Sequence, residues 1–128
     1  MPNFRELKAW QCAKALAGEC HKAVRKFPGG ERNALGDQLL RASLSVPLNI
    51  AEGSGRKGPR EFRRFLDIAR GSLTETQGAL ELAREFGYVS PVDFEDLNAR
   101  ASETARILWG LLRATSRNAR QPLSPLAP

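Results

Sequence analysis

The chain has 128 residues, with 20 lysines and arginines against 14 aspartates and glutamates, and a formal charge of +6. That length suits one domain burying about two-thirds of its unfolded surface, and 41% hydrophobic with 27% charged residues argues against wholesale disorder. No apolar run approaches the roughly 20 residues that cross a bilayer, and charge appears within Met1 to Glu6, unlike a signal peptide. A cytoplasmic protein without membrane contact is the expectation.

Composition favours helices: 17 alanines and 17 leucines stand against 11 valines, isoleucines and threonines together. Asn3 followed by Glu6 has the pattern of a capping box. From there Phe4, Leu7, Trp10, Ala13, Ala17, Cys20, Val24 and Phe27 recur at gaps of three or four. Pro28-Gly29-Gly30 ends this first predicted helix. The second is predicted from about Glu31 to Glu52, with Leu35, Leu39, Val46 and Ile50 as its apolar stripe. Pro47 inside it predicts a kink, because the ring clashes with the preceding turn.

Gly53 to Gly58 breaks the chain again, and Pro59 is placed to open a third helix ending at Gly87. Phe62, Leu66, Ala69, Leu73, Thr76, Leu80 and Ala83 form its core stripe. Ser90, Pro91 and Asp93 begin a fourth, carrying Phe94, Leu97, Ala101, Leu108, Leu111 and Leu112. The prediction is an all-α, antiparallel up-and-down four-helix bundle over residues 1–120 with a kinked second helix. Residues 121–128, with three prolines, read as a disordered tail.

Cys12 and Cys20 lie about 12 Å apart along one predicted helix, too far for a disulfide. Both read as small core residues. With a single histidine, His21, no metal-ligand cluster forms. Gly53-x-Gly55-x-x-Gly58 matches the dinucleotide fingerprint in letters alone, since a helix and not a strand precedes it; it reads as a flexible turn. Glu52, Glu61, Asp67 and Glu75 have no partner histidine or nucleophile beside them, so capping and ion pairing explain them better than catalysis. Neither a cofactor nor an enzyme activity is expected.

Two helices carry more apolar surface than one bundle core needs. On the third, Phe65, Ile68, Ser72, Glu75, Ala79, Leu82 and Phe86 run beside the core stripe, giving an apolar arc of about 200° where a core-facing stripe needs about 100°. On the second, Gln38, Arg41, Ser45, Asn49, Glu52 and Arg56 form a polar strip between two leucine-rich ones. Such a strip belongs at a subunit or interhelix interface where its charges are paired, so self-association is expected.

Charge is the other signal. Arg56, Lys57, Arg60, Arg63, Arg64 and Arg70 face only Glu61 and Asp67, and Arg106, Arg113, Arg117 and Arg120 face no acid. Arginine binds phosphate with planar two-point contacts, although fifteen arginines among 128 residues also fit a GC-rich codon bias. Both clusters are candidate nucleic-acid contacts, with Arg56, Lys57, Arg60, Arg63, Arg64, Arg113, Arg117 and Arg120 as the binding residues. Backbone recognition without base stacking is expected of these arginine runs.

The run from Ser45 to Arg56, SVPLNIAEGSGR, then Glu61 to Leu73, Glu75 and Gly87-Tyr88 resemble the signature of a bacterial four-helix-bundle family. Its members are encoded in intervening sequences of 23S ribosomal RNA genes. Leu7, Trp10, Ala13, Phe27-Pro28, Leu35, Gln38 and Arg41-Ala42 also fit, so the resemblance spans about Phe4 to Leu112. It implies a small bundle assembling as a homopentamer, with no established enzyme activity. The family is distantly similar to the accessory variability determinant of diversity-generating retroelements, a basic pentamer that binds nucleic acid and a reverse transcriptase. The family's recurrent positions fall on Asn49, Glu52, Arg56, Glu61, Arg70, Ser72 and Glu75. Together with Gln38 and Arg41 they read as much like an assembly signature as a ligand site. The expectation is a non-enzymatic homo-oligomer that binds RNA or DNA non-specifically through its arginines. The alternative is a protein-interaction scaffold, for instance for a polymerase.

Overall fold

Helices form where apolar residues recur every three or four positions, and they stop where a glycine or proline redirects the backbone. The computed structural model describes residues 3–120 and has four long helices: α1 (Lys8–Val24), α2 (Asp37–Ser54), α3 (Pro59–Glu85) and α4 (Pro91–Arg120). The Pro-rich segment 121–128 and the side chains of Glu31 and 118–120, Arg120 included, lie outside the described residues. Packing runs α1 on α2, α2 on α3, α3 on α4 and α4 back on α1, as in an up-and-down bundle with short connections. No strand occurs among the described residues.

The core follows the stripes read from periodicity, with Leu16 added to it and Phe4, Leu7, Trp10, Leu35 and Leu111 only partly buried at its edge. Leu16, Cys20, Leu39, Val46, Ile50, Leu66, Leu73, Leu80 and Leu108 are fully buried, each large aliphatic side chain contributing about 1.5–3 kcal/mol of transfer free energy. Thr76 and Thr104 are buried with them; each hydroxyl donates to the carbonyl four residues back, Ser72 and Arg100, at 2.8 Å. That local bond lets a polar side chain sit in an apolar layer without an unpaired donor.

The helix ends follow their sequence signals with two exceptions. Pro59 opens α3 behind Gly58, whose φ is +82°. At the other end Tyr88 N–H donates to Ala83 O (2.9 Å) and Gly87 N–H to Arg84 O (3.0 Å), with Gly87 at φ +76°. This is a Schellman cap, which needs a left-handed residue after the helix and so favours glycine. Ser90 Oγ accepts from Asp93 N–H at 3.1 Å and caps α4.

The first exception is the N-terminus. Asn3 caps only a short 3₁₀ turn, Phe4–Glu6, through Arg5 N–H. Leu7 is then extended and α1 starts at Lys8, so the capping box does not begin the long helix. The break folds Phe4 back onto Trp10, ring centroids 5.1 Å apart in an edge-to-face pair. The second exception is the start of α2. A helical turn at Gly29–Glu31 passes into a wide π segment, Arg32–Gly36, before α2 proper, and Arg32 Nε donates to the Phe27 carbonyl at 3.2 Å. Pro47 sits buried inside α2, and the α-helix continues through it to Ser54.

The glycine-rich run is not a single flexible turn. Gly53 lies in the last turn of α2, buried against α3, where a Cβ would stand 2.7 Å from Phe65 Cβ and 3.1 Å from Phe62 Cδ1. Gly55 is the C-cap of α2. The first glycine therefore permits close helix approach, while the last two shape the turn.

Candidate nucleic-acid interface

Helices α3 and α4 are antiparallel around the turn at Gly87–Ser90, so basic residues distant in sequence face each other. Arg63 Nε donates to Ser116 Oγ at 2.6 Å. Seven residues on, the Arg70 guanidinium lies 5.4 Å from the centre of the Trp109 ring. Between these crossings a groove of about 360 Å³ is lined by Arg63, Asp67, Arg70, Trp109, Leu112, Arg113, Ser116 and Arg117. Buried Leu112 contributes an apolar surface, and four arginines against one aspartate leave a lining charge of +3. Arg113 also approaches the Trp109 ring, at 6.0 Å. Both distances are at the outer limit of a cation–π contact, and Trp109 keeps 47% of its surface exposed.

The structure thus divides the candidate binding residues. Arg63 from the first basic cluster and Arg113 and Arg117 from the second share one groove, joined by Arg70. Arg56 and Arg64 lie instead at the α2–α3 end of the bundle. Their guanidinium groups sit 5.1 and 4.5 Å from the Phe65 ring centre. Glu52 pairs with Arg56 at 3.0 Å and Glu61 with Arg64 at 3.1 Å. The hydrogen bond from Arg64 holds the Glu61 carboxyl below its ordinary range. Lys57 and Arg60 are exposed and make no ion pair with another described residue. Arg106 is paired with Glu103 at 3.0 Å and takes no part in the groove.

Two members of the α2 polar strip, Gln38 and Ser45, hydrogen-bond to α3 across an interhelix seam within one chain, and the rest of the strip does not. Gln38 hydrogen-bonds Glu75, the Ser45 and Ser72 hydroxyls meet at 2.8 Å, and Asn49 Nδ2 donates to the Ser45 carbonyl (2.8 Å) and hydroxyl (2.9 Å). Arg41 is exposed beside this seam and pairs with no described carboxylate. The outward faces of α2 and α3 carry exposed Leu44, Leu48, Ile68, Leu82 and Phe86, with Leu48 at 65% exposure.

A family model described as 23S rRNA-intervening sequence protein matches residues 5–110. The chain belongs to this family. A solved structure, a protein of unknown function from the S23 ribosomal protein family of Bacteroides thetaiotaomicron, is similar with a TM-score of 0.74 at 21% identity. The match covers 81% of this chain and 97% of that one, and it shows a shared fold. No protein among those with curated descriptions matches.

In this member of the family the motif positions separate by role. Ser72 and Glu75 meet Ser45 and Gln38 across the α2–α3 seam, Asn49 bonds Ser45 on its own helix, Glu52 and Glu61 neutralise Arg56 and Arg64, and Arg70 faces the groove. Trp109 is the groove residue that linear reading misses. The expectation that no aromatic is interleaved with the arginines fails along the sequence as well as in space: Phe62 and Phe65 lie among Arg60, Arg63, Arg64 and Arg70, and Trp109 lies between Arg106 and Arg113. The hairpin register carried the missing signal: folding the chain about Val89–Ser90 sets residue 70 opposite 109 and residue 63 opposite 116. No cluster of three or more histidines, cysteines or acids able to hold a metal occurs among the described residues. His21 is exposed, Cys20 is buried and Cys12 is half-buried. No described helix is long and apolar enough to cross a membrane.

Proposed function

We propose that this protein is a non-catalytic, self-associating nucleic-acid-binding protein whose α3–α4 groove contacts RNA or DNA phosphates. The observation that carries the reading is the convergence of Arg63, Arg70, Arg113 and Arg117 on one concave surface. Guanidinium groups arrayed around a groove give bidentate phosphate contacts, and releasing condensed counterions makes such binding fall steeply with salt. The groove rather than the α2–α3 turn is the centre of binding, because Arg56 and Arg64 are already paired with carboxylates.

Self-association is supported by the outward faces of α2 and α3. Leu44, Leu48, Ile68, Leu82 and Phe86 are exposed there, and exposed apolar surface on this scale is characteristic of interaction sites.

The deciding measurement is fluorescence anisotropy of labelled RNA and DNA oligonucleotides across a salt series. Affinity should fall linearly on a log–log plot, and Arg63→Ala with Arg113→Ala and Arg117→Ala should flatten the slope by roughly two to three units, about 0.7–0.9 per lost contact. Circular dichroism of the triple variant confirms that the helices persist. Absence of binding at low salt, or a flat response, refutes the reading.

A further inference from the structure

The groove contains more than charge. Its aromatic side chain, Trp109, lies between Arg70 on α3 and Arg113 on its own helix, and neither guanidinium approaches the ring closer than 5.4 Å. The half-exposed indole carries both guanidinium groups over its ring only at long range, so a base that takes the place of one stacks on the ring face while that arginine turns to the neighbouring phosphate. In a duplex each base is already stacked on both sides, so such a face gains little from it. An unpaired base can stack on it fully.

We infer that the groove takes a single-stranded segment, one base stacking on Trp109 while the flanking phosphates lie on Arg113 and Arg117. This rests on the nucleic-acid reading above and deepens it by naming the strand state. Trp109, Arg113 and Arg117 follow one another at four-residue steps on α4, about 6 Å of rise each. A backbone laid along α4 thus meets a guanidinium at each turn. Asp67 sits on the opposite, α3 side of the groove. It stands between Arg63 and Arg70 on that helix, as the one carboxylate in the lining able to take an N–H from a base edge. Arg63 donates through Nε to Ser116 Oγ at 2.6 Å across the mouth, which leaves its two terminal nitrogens for phosphate. The volume of about 360 Å³ falls at the small end of the roughly 300–1,000 Å³ typical of small-ligand clefts, so it accommodates one nucleotide at a time rather than the width of a helix.

The test uses the full chain with Trp10→Phe, so that Trp109 is the single tryptophan reporter. Oligo(dT) and oligo(U) of fifteen residues are titrated beside a blunt hairpin duplex of equal charge. Single strands should quench Trp109 emission and bind at least five-fold more tightly than the duplex. Read by anisotropy of labelled oligomers, since these variants carry no tryptophan, Trp109→Ala should remove that margin while leaving the salt slope intact, because the phosphate contacts remain; Trp109→Phe should retain most of it. Equal affinity for duplex and single strand, no quenching, or an undiminished Trp109→Ala variant overturns the stacking inference and leaves general nucleic-acid binding standing. If neither nucleic acid binds at low salt while poly-glutamate does, both readings fail and the groove belongs to an acidic protein segment.

Discussion

Gly53 is the glycine at which α2 comes closest to α3, and replacing it with alanine gives a sharp test of that approach. The new Cβ would stand 2.7 Å from Phe65 Cβ, 3.1 Å from Phe62 Cδ1 and 3.3 Å from the Phe62 carbonyl. Phe65 Cβ is fixed to the α3 backbone, so rotamer change cannot relieve the clash and the two helices must separate. Overpacking of this kind costs about 1–3 kcal/mol, and a contact onto a backbone-anchored atom falls in the upper part of that range. Opposing it, alanine is intrinsically better than glycine in a helix by about 0.5–1 kcal/mol. The net expectation is a loss of about 1–2 kcal/mol. With a urea m-value of about 2 kcal/mol/M, the unfolding midpoint falls by about 0.5–1 M. Gly18, exposed on α1 with nothing near its would-be Cβ, is the matched control. Gly18→Ala should raise the midpoint by about 0.25–0.5 M at the same protein concentration. A Gly53→Ala midpoint equal to or above that of the unchanged protein refutes the close-approach argument.

Leu44→Glu or Leu82→Glu should reduce the particle mass seen by light scattering at micromolar concentration while leaving helix content unchanged, because both side chains are exposed in one chain; a monomeric unmodified protein contradicts self-association outright. The two cysteines should separate by reactivity. Burial pushes the Cys20 thiol from its ordinary value of 9.0 up to about 12, a Ser43 hydrogen bond only partly opposing it, whereas Cys12 is half-buried. A thiol reagent at pH 8 should therefore label no more than one cysteine in the native protein and both in denaturant. The same shift has a sign for stability. The folded state holds the Cys20 proton more tightly than the unfolded state, so its contribution is intact below pH 9 and is lost as pH rises towards 12. Urea midpoints that do not fall across that window contradict the burial argument.

Much of the bundle follows from local rules. Apolar residues at gaps of three and four, Pro59 at the first turn of α3, and Gly87 in its left-handed cap specify helices and stops through the backbone alone. The buried stripes, the absence of strands among the described residues and the need to pair the α2 polar strip come from the same periodicity. Local rules did not reach the N-terminus, where Phe4 packing on Trp10 outweighs the capping box that Asn3 and Glu6 spell. They also missed the π segment before α2, which depends on how the chain enters the core after Phe27.

The candidate site belongs to the tertiary level. Two basic runs some forty residues apart are only charge until an antiparallel hairpin lays one along the other. Only then do Arg70 and Trp109 become neighbours and Arg56 and Arg64 separate from the groove. Likewise Ser45 and Ser72 pair only when α2 and α3 adopt their register, and Gly53 has a purpose only where two helices cross. The physical reason is range. Helix formation is decided by contacts three and four residues apart, so residue order suffices for it. A groove is made of side chains on different helices, and its membership is set by hairpin register and core packing, which no linear spacing contains.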